Sequence, residues 1–342
     1  MQPGKVDRDF FDAFIEGRLG ATRDDVDLGP QFGADFGLLE IDDAALAIAT
    51  DPIFVLRDLG LERAAWFAFH VVLSDVALSG LPPSHLAVDL ALPPGTDPET
   101  FETIWTVFDA EARELDVSII TGHTGAYAGA SFPTIGAGTA LAVGNPEAVV
   151  KPTGAEPGDR VLVTKGPAIE TTGILATVFG DEINLSTETV DPARDRFFDT
   201  SPVADARVAA KAGPVTAMHD ATEGGLAYAL HELAHASEVG LAVDSAPVPV
   251  MDGVEAICSH FDIDAWQASS SGTVLVTVAP GGAKTVLSGF ADAGIPAADV
   301  GRVVEGEQVT VDGDTVAVPE TDPFWPTYER ARSESLNRSQ RD

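Results

Sequence analysis

Four aspartates stand where a carboxylate is expensive to keep away from water. Asp75 interrupts the apolar stretch VVLSDVALSG, so a helix carrying it would draw it inward. Asp35 lies in the glycine-rich run GPQFGADFG, just before a strand pattern. Asp51 is placed just beyond the end of the strand pattern AALAIAT (44–50), and Asp220 follows PVTAM (214–218). Arg57 and Arg63 are the cations near the first three in sequence. Carboxylates gathered by the fold would suit a hard cation such as Mg2+, which takes oxygen ligands. Taken singly, each is equally readable as a helix cap or a solvated surface acid.

A second signal is HDATEGGLAYALHELAHAS (219–237). A strand ends, Asp220 and Thr222 follow, and a helix opens near Gly224-Gly225. Bare N–H groups at a helix start attract anions, and glycines let a phosphate approach. Thr222 is alternatively a plain N-cap. A third signal is TGHTGAY (121–127), where small residues and hydroxyls follow the strand pattern 117–121. That suits phosphate contact or, equally, a tight turn. His231-Glu232-Leu233-Ala234-His235 also matches HExxH, a zinc-hydrolase signature, with Glu255 as a conceivable third ligand. The rest of a zinc-protease pattern is missing. There is no GxxxxGK[ST] loop, no GxSxG elbow and no complete GxGxxG: Gly136 and Gly138 start that spacing, but residue 141 is Leu.

The elements that must position these residues alternate between helix and strand periods, the pattern of an α/β or α+β chain. Helices are predicted over 7–18, 62–79, 97–115, 168–179, 201–211 and 223–237. Strands are predicted over 44–50, 85–92, 117–121, 134–143, 160–164, 214–218 and 273–278. The run GNPEAVVKPTGAEPGD (144–159) breaks the first pattern. Domains are therefore expected at 1–150 and 151–320. Residues 321–342 show no periodicity and read as a tail packed on the surface.

The chain has 342 residues, with 54 Asp+Glu against 20 Lys+Arg and a formal net charge of −34. That balance speaks against nucleic-acid or anionic-lipid partners, which need clustered cations. No apolar run approaches the roughly 20 residues of a membrane span. The start, MQPGKVDRDFFDAF, lacks a signal-peptide pattern, so a cytoplasmic location is expected. A single Cys, Cys258, excludes an intrachain disulfide. So much like charge is tolerable where salt shortens its reach, and a halophilic cytoplasm is the expected setting.

Read in order, PGKV, GADFG, IATDPI, FHVVLSDVALSGLPPSHLAVDLALPPG, IITGHTGAY, GDRVLVTKGPAIETTGILA, HDATEGGLAYALHELAHAS, ICSHFDID and SSSGTVLVTV resemble the AIR synthase superfamily. The similarity runs from about Gly4 to Val304 and is greatest to the archaeal HypE-like branch. The resemblance implies a two-domain PurM-like fold. Its N-terminal α/β domain would pair with a second subunit into a barrel, and its C-terminal sheet would be covered by helices. It implies an ATP- and Mg2+-dependent enzyme that phosphorylates an amide, carbonyl or similar oxygen of a small-molecule or protein acceptor, as in hydrogenase or metal-centre maturation. ATP would lie in a cleft between the domains. Asp35, Asp51 and Asp75 would be Mg2+ ligands. Gly122, His123 and Thr124 would approach the phosphates, with His123 also catalytic. Asp220 and Thr222 would position metal or phosphate, supported by the Gly224-Gly225 helix start. Lys5 would fold over the nucleotide. Glu170, in the substrate-facing loop TKGPAIETTG, would be the acid or base.

The chain departs from the pattern in places. Ala34-Asp35 stands where relatives often carry two acids, and His123 where many carry Asp. The chain ends LNRSQRD without the terminal Cys of HypE proper, and Cys258 reads as a core residue. Thiamin monophosphate kinase activity and a non-catalytic ATP-binding scaffold are the alternatives.

Overall fold

A computed structural model of the chain describes residue 6, residues 8–319 and residues 321–339. Lys5 lies outside the described residues. The chain forms two compact units. One comprises Leu19–Pro30 and Asp35–Val149; the other comprises Met1–Arg18, Gln31–Ala34 and Val150–Asp342. The short helix α1 (Arg8–Phe14) belongs to the second unit.

The first unit is a six-stranded sheet under two helices. In chain order its elements are β1 (Val26–Leu28), β2 (Gly37–Ile41), β3 (Ala44–Phe54), α2 (Leu61–Ala77), β4 (His85–Leu92), α3 (Pro98–Glu114), β5 (Ser118–Ala126) and β6 (Thr134–Gly144). The strand order is β1-β2-β3-β6-β4-β5, which leaves β5 at an edge, parallel to β4. Alternation does the sorting. Ala45, Ala47, Ala49 and Ile53 of β3 are buried, whereas Leu46 and Ile48 between them are only half-buried. α2 packs on β3 and β6 with Val72, Leu73 and Val76, and α3 packs on α2 through the Phe69–Phe108 ring pair. Asp97 caps α3 by accepting from the Thr100 N–H at 2.8 Å, with Pro98 at the first turn. The opposite face of the sheet carries Leu39, Leu46 and Val143 in one register row, and Ile41 beside them. Ile41 and Val143 are 49% and 46% exposed.

The second unit contains β7 (Arg160–Thr164), α4 (Ile169–Phe179), α5 (Thr187–Asp195), α6 (Val203–Ala212), β8 (Val215–Asp220), α7 (Gly225–Ala236), β9 (Gly240–Val243), α8 (Val254–Phe261), β10 (Val274–Val278), α9 (Ala283–Asp292), β11 (Ala297–Val304), β12 (Val309–Val311), β13 (Asp314–Thr315) and α10 (Phe324–Ser339). Its sheet runs β13-β12-β9-β11-β7-β10-β8 and is antiparallel apart from the β9–β12 pair. Every residue of β10 is buried, as its unbroken apolar run requires of a strand covered on both faces. Leu226, Leu230 and Leu233 of α7 cover one face with Val161, Val163 and Leu275. Helices α6 and α9 pack on each other, α6 against β8 and β10 and α9 against β11.

Residues read from the sequence as a tail include a 16-residue helix, α10. Its acids, arginines and serines hide a single stripe at helical spacing, Phe324, Tyr328 and Ala331, all buried. Tyr328 meets Phe179 of α4 with ring centroids 5.5 Å apart. Among the described residues no helix is long and apolar enough to cross a membrane.

Candidate functional site

In the first unit, Asp51 lies inside β3 rather than beyond its end, because the ladder with β6 continues past Thr50. Asp51 pairs with Gly138 of β6, Gly138 with Val88 of β4, and Val88 with Gly122 of β5. The four residues form one row across the sheet, so their Cα–Cβ directions share a face. That face is the one α2 covers. A Cβ on Gly138 would stand 2.5 Å from Val72 Cγ1, so the glycine lets α2 settle onto the sheet. Asp75 follows Val72 by three residues on the same helical stripe. Asp51 and Asp75 are thereby brought to the same side of one sheet, and both are half-buried. Asp35, also half-buried, enters β2 from the glycine-rich run, and among the described residues Asp35, Asp51 and Asp75 do not form one group within metal-ligand reach.

The segment TGHTGA is strand, not turn: Gly122, His123 and Thr124 lie within β5, exposed on the sheet edge. His123 pairs with Asp89 of β4, so its side chain leaves the sheet on the face opposite Gly122. There its Nε2 is hydrogen-bonded to Tyr127 Oη.

In the second unit, Asp220 closes β8 and is 1% exposed. Its carbonyl accepts from His219 Nδ1 at 2.7 Å, and His219 Nε2 lies 3.7 Å from the Glu232 carboxylate. The Thr222 carbonyl, rather than its hydroxyl, accepts from the Gly225 N–H at 3.0 Å. Gly224 takes the cap position of α7 with φ +77°, a conformation that favours glycine. Its N–H donates to Asp322 Oδ2 at 2.8 Å. The helix start read as a phosphate seat thus carries a carboxylate of the chain itself.

Glu170 sits in the first turn of α4 and is buried. Its Oε2 accepts from Ser271 Oγ at 2.6 Å and from the Ser271 N–H at 3.3 Å. Burial, reinforced by the charges of Asp322 and Glu223 and opposed by the Ser271 hydrogen bonds, pushes Glu170 up to about 7. Ahead of it, Lys165 donates to the carbonyls of Asp199, Ser201 and Gly272 and pairs with Asp205 at 2.9 Å. Burial holds Asp205 above the usual carboxylate range, and Lys165 opposes this. The knot fixes the loop that delivers Glu170.

Comparison with known proteins accounts for both units. Residues 33–142 match the model of the AIR synthase related protein N-terminal domain, and residues 156–314 match that of its C-terminal domain. The chain belongs to the AIR synthase related family. It is 31% identical to a carbamoyl dehydratase HypE of Rhizobium leguminosarum bv. viciae, over 71% of this chain and 69% of that one. It is 32% identical to a thiamine-monophosphate kinase of Halobacterium salinarum, over 62% and 70% respectively. A crystal structure of the hydrogenase maturation protein HypE in complex with ATP superposes with a TM-score of 0.66 at 23% identity, covering 84% of this chain and 89% of that one.

In this AIR synthase related chain the HExxH residues turn to separate partners. His231 Nε2 donates to the Val316 carbonyl at 3.1 Å, Glu232 faces His219, and His235 lies against Phe32. Among the described residues, His231, His235 and Glu255 form no group within metal-ligand reach. Cys258 is a buried core residue whose thiol burial pushes up to about 11. The sequence reading passed over His219, Glu223, Asp322 and the serines 269–271. The serines carried a weak signal, a polar run SSSG abutting the buried strand β10. Asp322 carried none, being 98 residues from the Gly224 it holds.

Proposed function

We propose that this chain is an ATP- and Mg2+-dependent phosphoryl-transfer enzyme of the HypE-like kind, acting on an amide, carbonyl or similar oxygen. The observation that carries the reading is the placement of Asp51, in the row that ends at Gly122, and Asp75, on the helix α2 that covers that row, on one side of the N-terminal sheet. Half-buried carboxylates without a phosphate loop are the donor set a hard cation takes. Asp51 and Asp75, with Asp35, would hold Mg2+, whose role when bound is to neutralise phosphate charge. Residues 1–150 would form the nucleotide domain and 151–320 the acceptor domain.

On the acceptor side, Glu170 would accept the proton an amide loses when its oxygen takes the γ-phosphoryl group. A carboxyl held near 7 is matched to that task at neutral pH. The Lys165 knot and Ser271 would hold it in place. Support for the acceptor class comes from the HypE relatives, and a HypE solved in a HypE–HypF complex supports a protein partner. The half-exposed Ile41 and Val143 support a homodimer through the open sheet face. The Halobacterium salinarum relative supports a second reading, a thiamine monophosphate kinase.

The test is calorimetric titration of wild type and Asp75→Asn with ATP and Mg2+. Affinity should fall at least roughly tenfold, about 1.4 kcal/mol, with the thermal midpoint little changed. Equal affinity would remove Asp75 from the site. Phosphorylation of added thiamine monophosphate would select the second reading.

A further inference from the structure

We infer that Asp322 is a positioning residue for the Glu170 acid: it pins the serine loop 269–271 to the start of α7 and places its own charge beside Glu170. The inference rests on the reading of Glu170 as acid or base, and it adds a residue outside the stretch 156–314 matched by the family model.

The geometry is a relay of short hydrogen bonds. Asp322 Oδ2 accepts from the Gly224 N–H at 2.8 Å and from Ser269 Oγ at 2.6 Å, while Oδ1 accepts from the Phe324 N–H at 2.7 Å. The carboxylate joins α7, the serine loop and the entry to α10. Each serine then holds a different group. The Ser269 carbonyl accepts from the Thr171 N–H and Oγ, at 3.1 and 2.9 Å. Ser270 Oγ accepts from the Ile169 N–H at 3.1 Å, capping α4 in place of its own Ala168, which has no side-chain cap. Ser271 holds Glu170. A shift of Ser269 would therefore be felt at both ends of the first turn of α4. Asp322 is itself held, because Phe324 and Tyr328 behind it are buried, Tyr328 against Phe179 of α4.

The charges that act on Glu170 are those of Asp322 and Glu223. Several charges on elements packed on α4 turn to other partners. Arg196 pairs with Asp199, Arg194 with Asp181 and Asp191, and Arg338 with Glu182. Arg330 donates to the Phe261 carbonyl, His260 meets the Phe261 ring edge to face, and Lys165 pairs with Asp205. Removing the Asp322 charge thus removes a like-charge neighbour of Glu170.

The experiment is a 13C NMR titration of the Glu170 carboxyl in the full chain, assigned by its loss in Glu170→Gln. In Asp322→Asn, which keeps an acceptor and the side-chain shape, the Glu170 midpoint should fall from about 7 toward the ordinary carboxylate range. An unmoved midpoint would overturn the proposal, since a merely structural Asp322 would leave it in place. Should Asp322→Asn fail to fold, Ser269→Ala removes one donor and leaves the others. Amide exchange at Ser271 should then accelerate roughly tenfold. Unchanged exchange would overturn the proposal. Neither readout involves turnover, so loss of activity in Glu170→Gln tests the acid–base role separately.

Discussion

At the scale of single residues, Glu170 ties burial to chemistry. In the unfolded chain its carboxyl titrates near 4.5, and in the folded chain near 7. Between those values the folded state binds the extra proton, so the contribution of Glu170 to stability is greatest below about 4.5 and falls as pH rises toward about 7. The loss is on the order of 3 kcal/mol for such a difference. Glu170→Gln cannot lose that proton. Its urea midpoint should fall less than that of wild type between pH 5 and 8. Parallel curves would show that Glu170 titrates normally. Asp75 was legible in the sequence because an acid inside an apolar helix is anomalous by itself. Asp322 was not, because a surface-type acid in a polar stretch gains its meaning only from Gly224 and Ser269, which sequence does not place beside it.

Among elements, the seating of α2 on the sheet decides where Asp75 stands relative to Asp51. Gly138→Ala would put a Cβ 2.5 Å from Val72 Cγ1, and the helix would have to lift. Overpacking of this kind costs about 1–3 kcal/mol. The variant should show a lower thermal midpoint together with weaker Mg2+–ATP binding. A lowered midpoint with unchanged binding would separate α2 seating from the metal grip. Elements with strong local signals were readable: α3 has its Asp97-Pro98 start, and β10 its unbroken apolar run. Those defined by distant partners were not. Asp51 is strand because β6 pairs beyond Thr50, TGHTGA is strand because β4 runs beside it, and α10 is helix because α4 accepts Tyr328. The glycines that suggested turns instead allow close approach: a Cβ on Gly122 would lie 2.3 Å from the Val88 carbonyl oxygen.

For the whole molecule, the net charge of −34 speaks against nucleic-acid and anionic-lipid partners and sharpens one requirement on a small anionic ligand. The proposed ligand ATP would bring further negative charge to a chain with 54 acids and 20 Lys+Arg, and would have to meet the carboxylates Asp51 and Asp75 of the N-terminal unit. Like charges at close range repel unless a cation stands between them. The family resemblance carries the fold and implies the ligand class; the charge sets the condition under which that proposed ligand would bind. The direct measurement is calorimetric titration of the wild-type chain with ATP in excess Mg2+ and, separately, in excess chelator. Binding should be saturable with Mg2+ and weaker by at least roughly a hundredfold, about 2.8 kcal/mol, without it. Equally tight binding in chelator would contradict the assignment of Asp35, Asp51 and Asp75 to a metal-bridged ATP site.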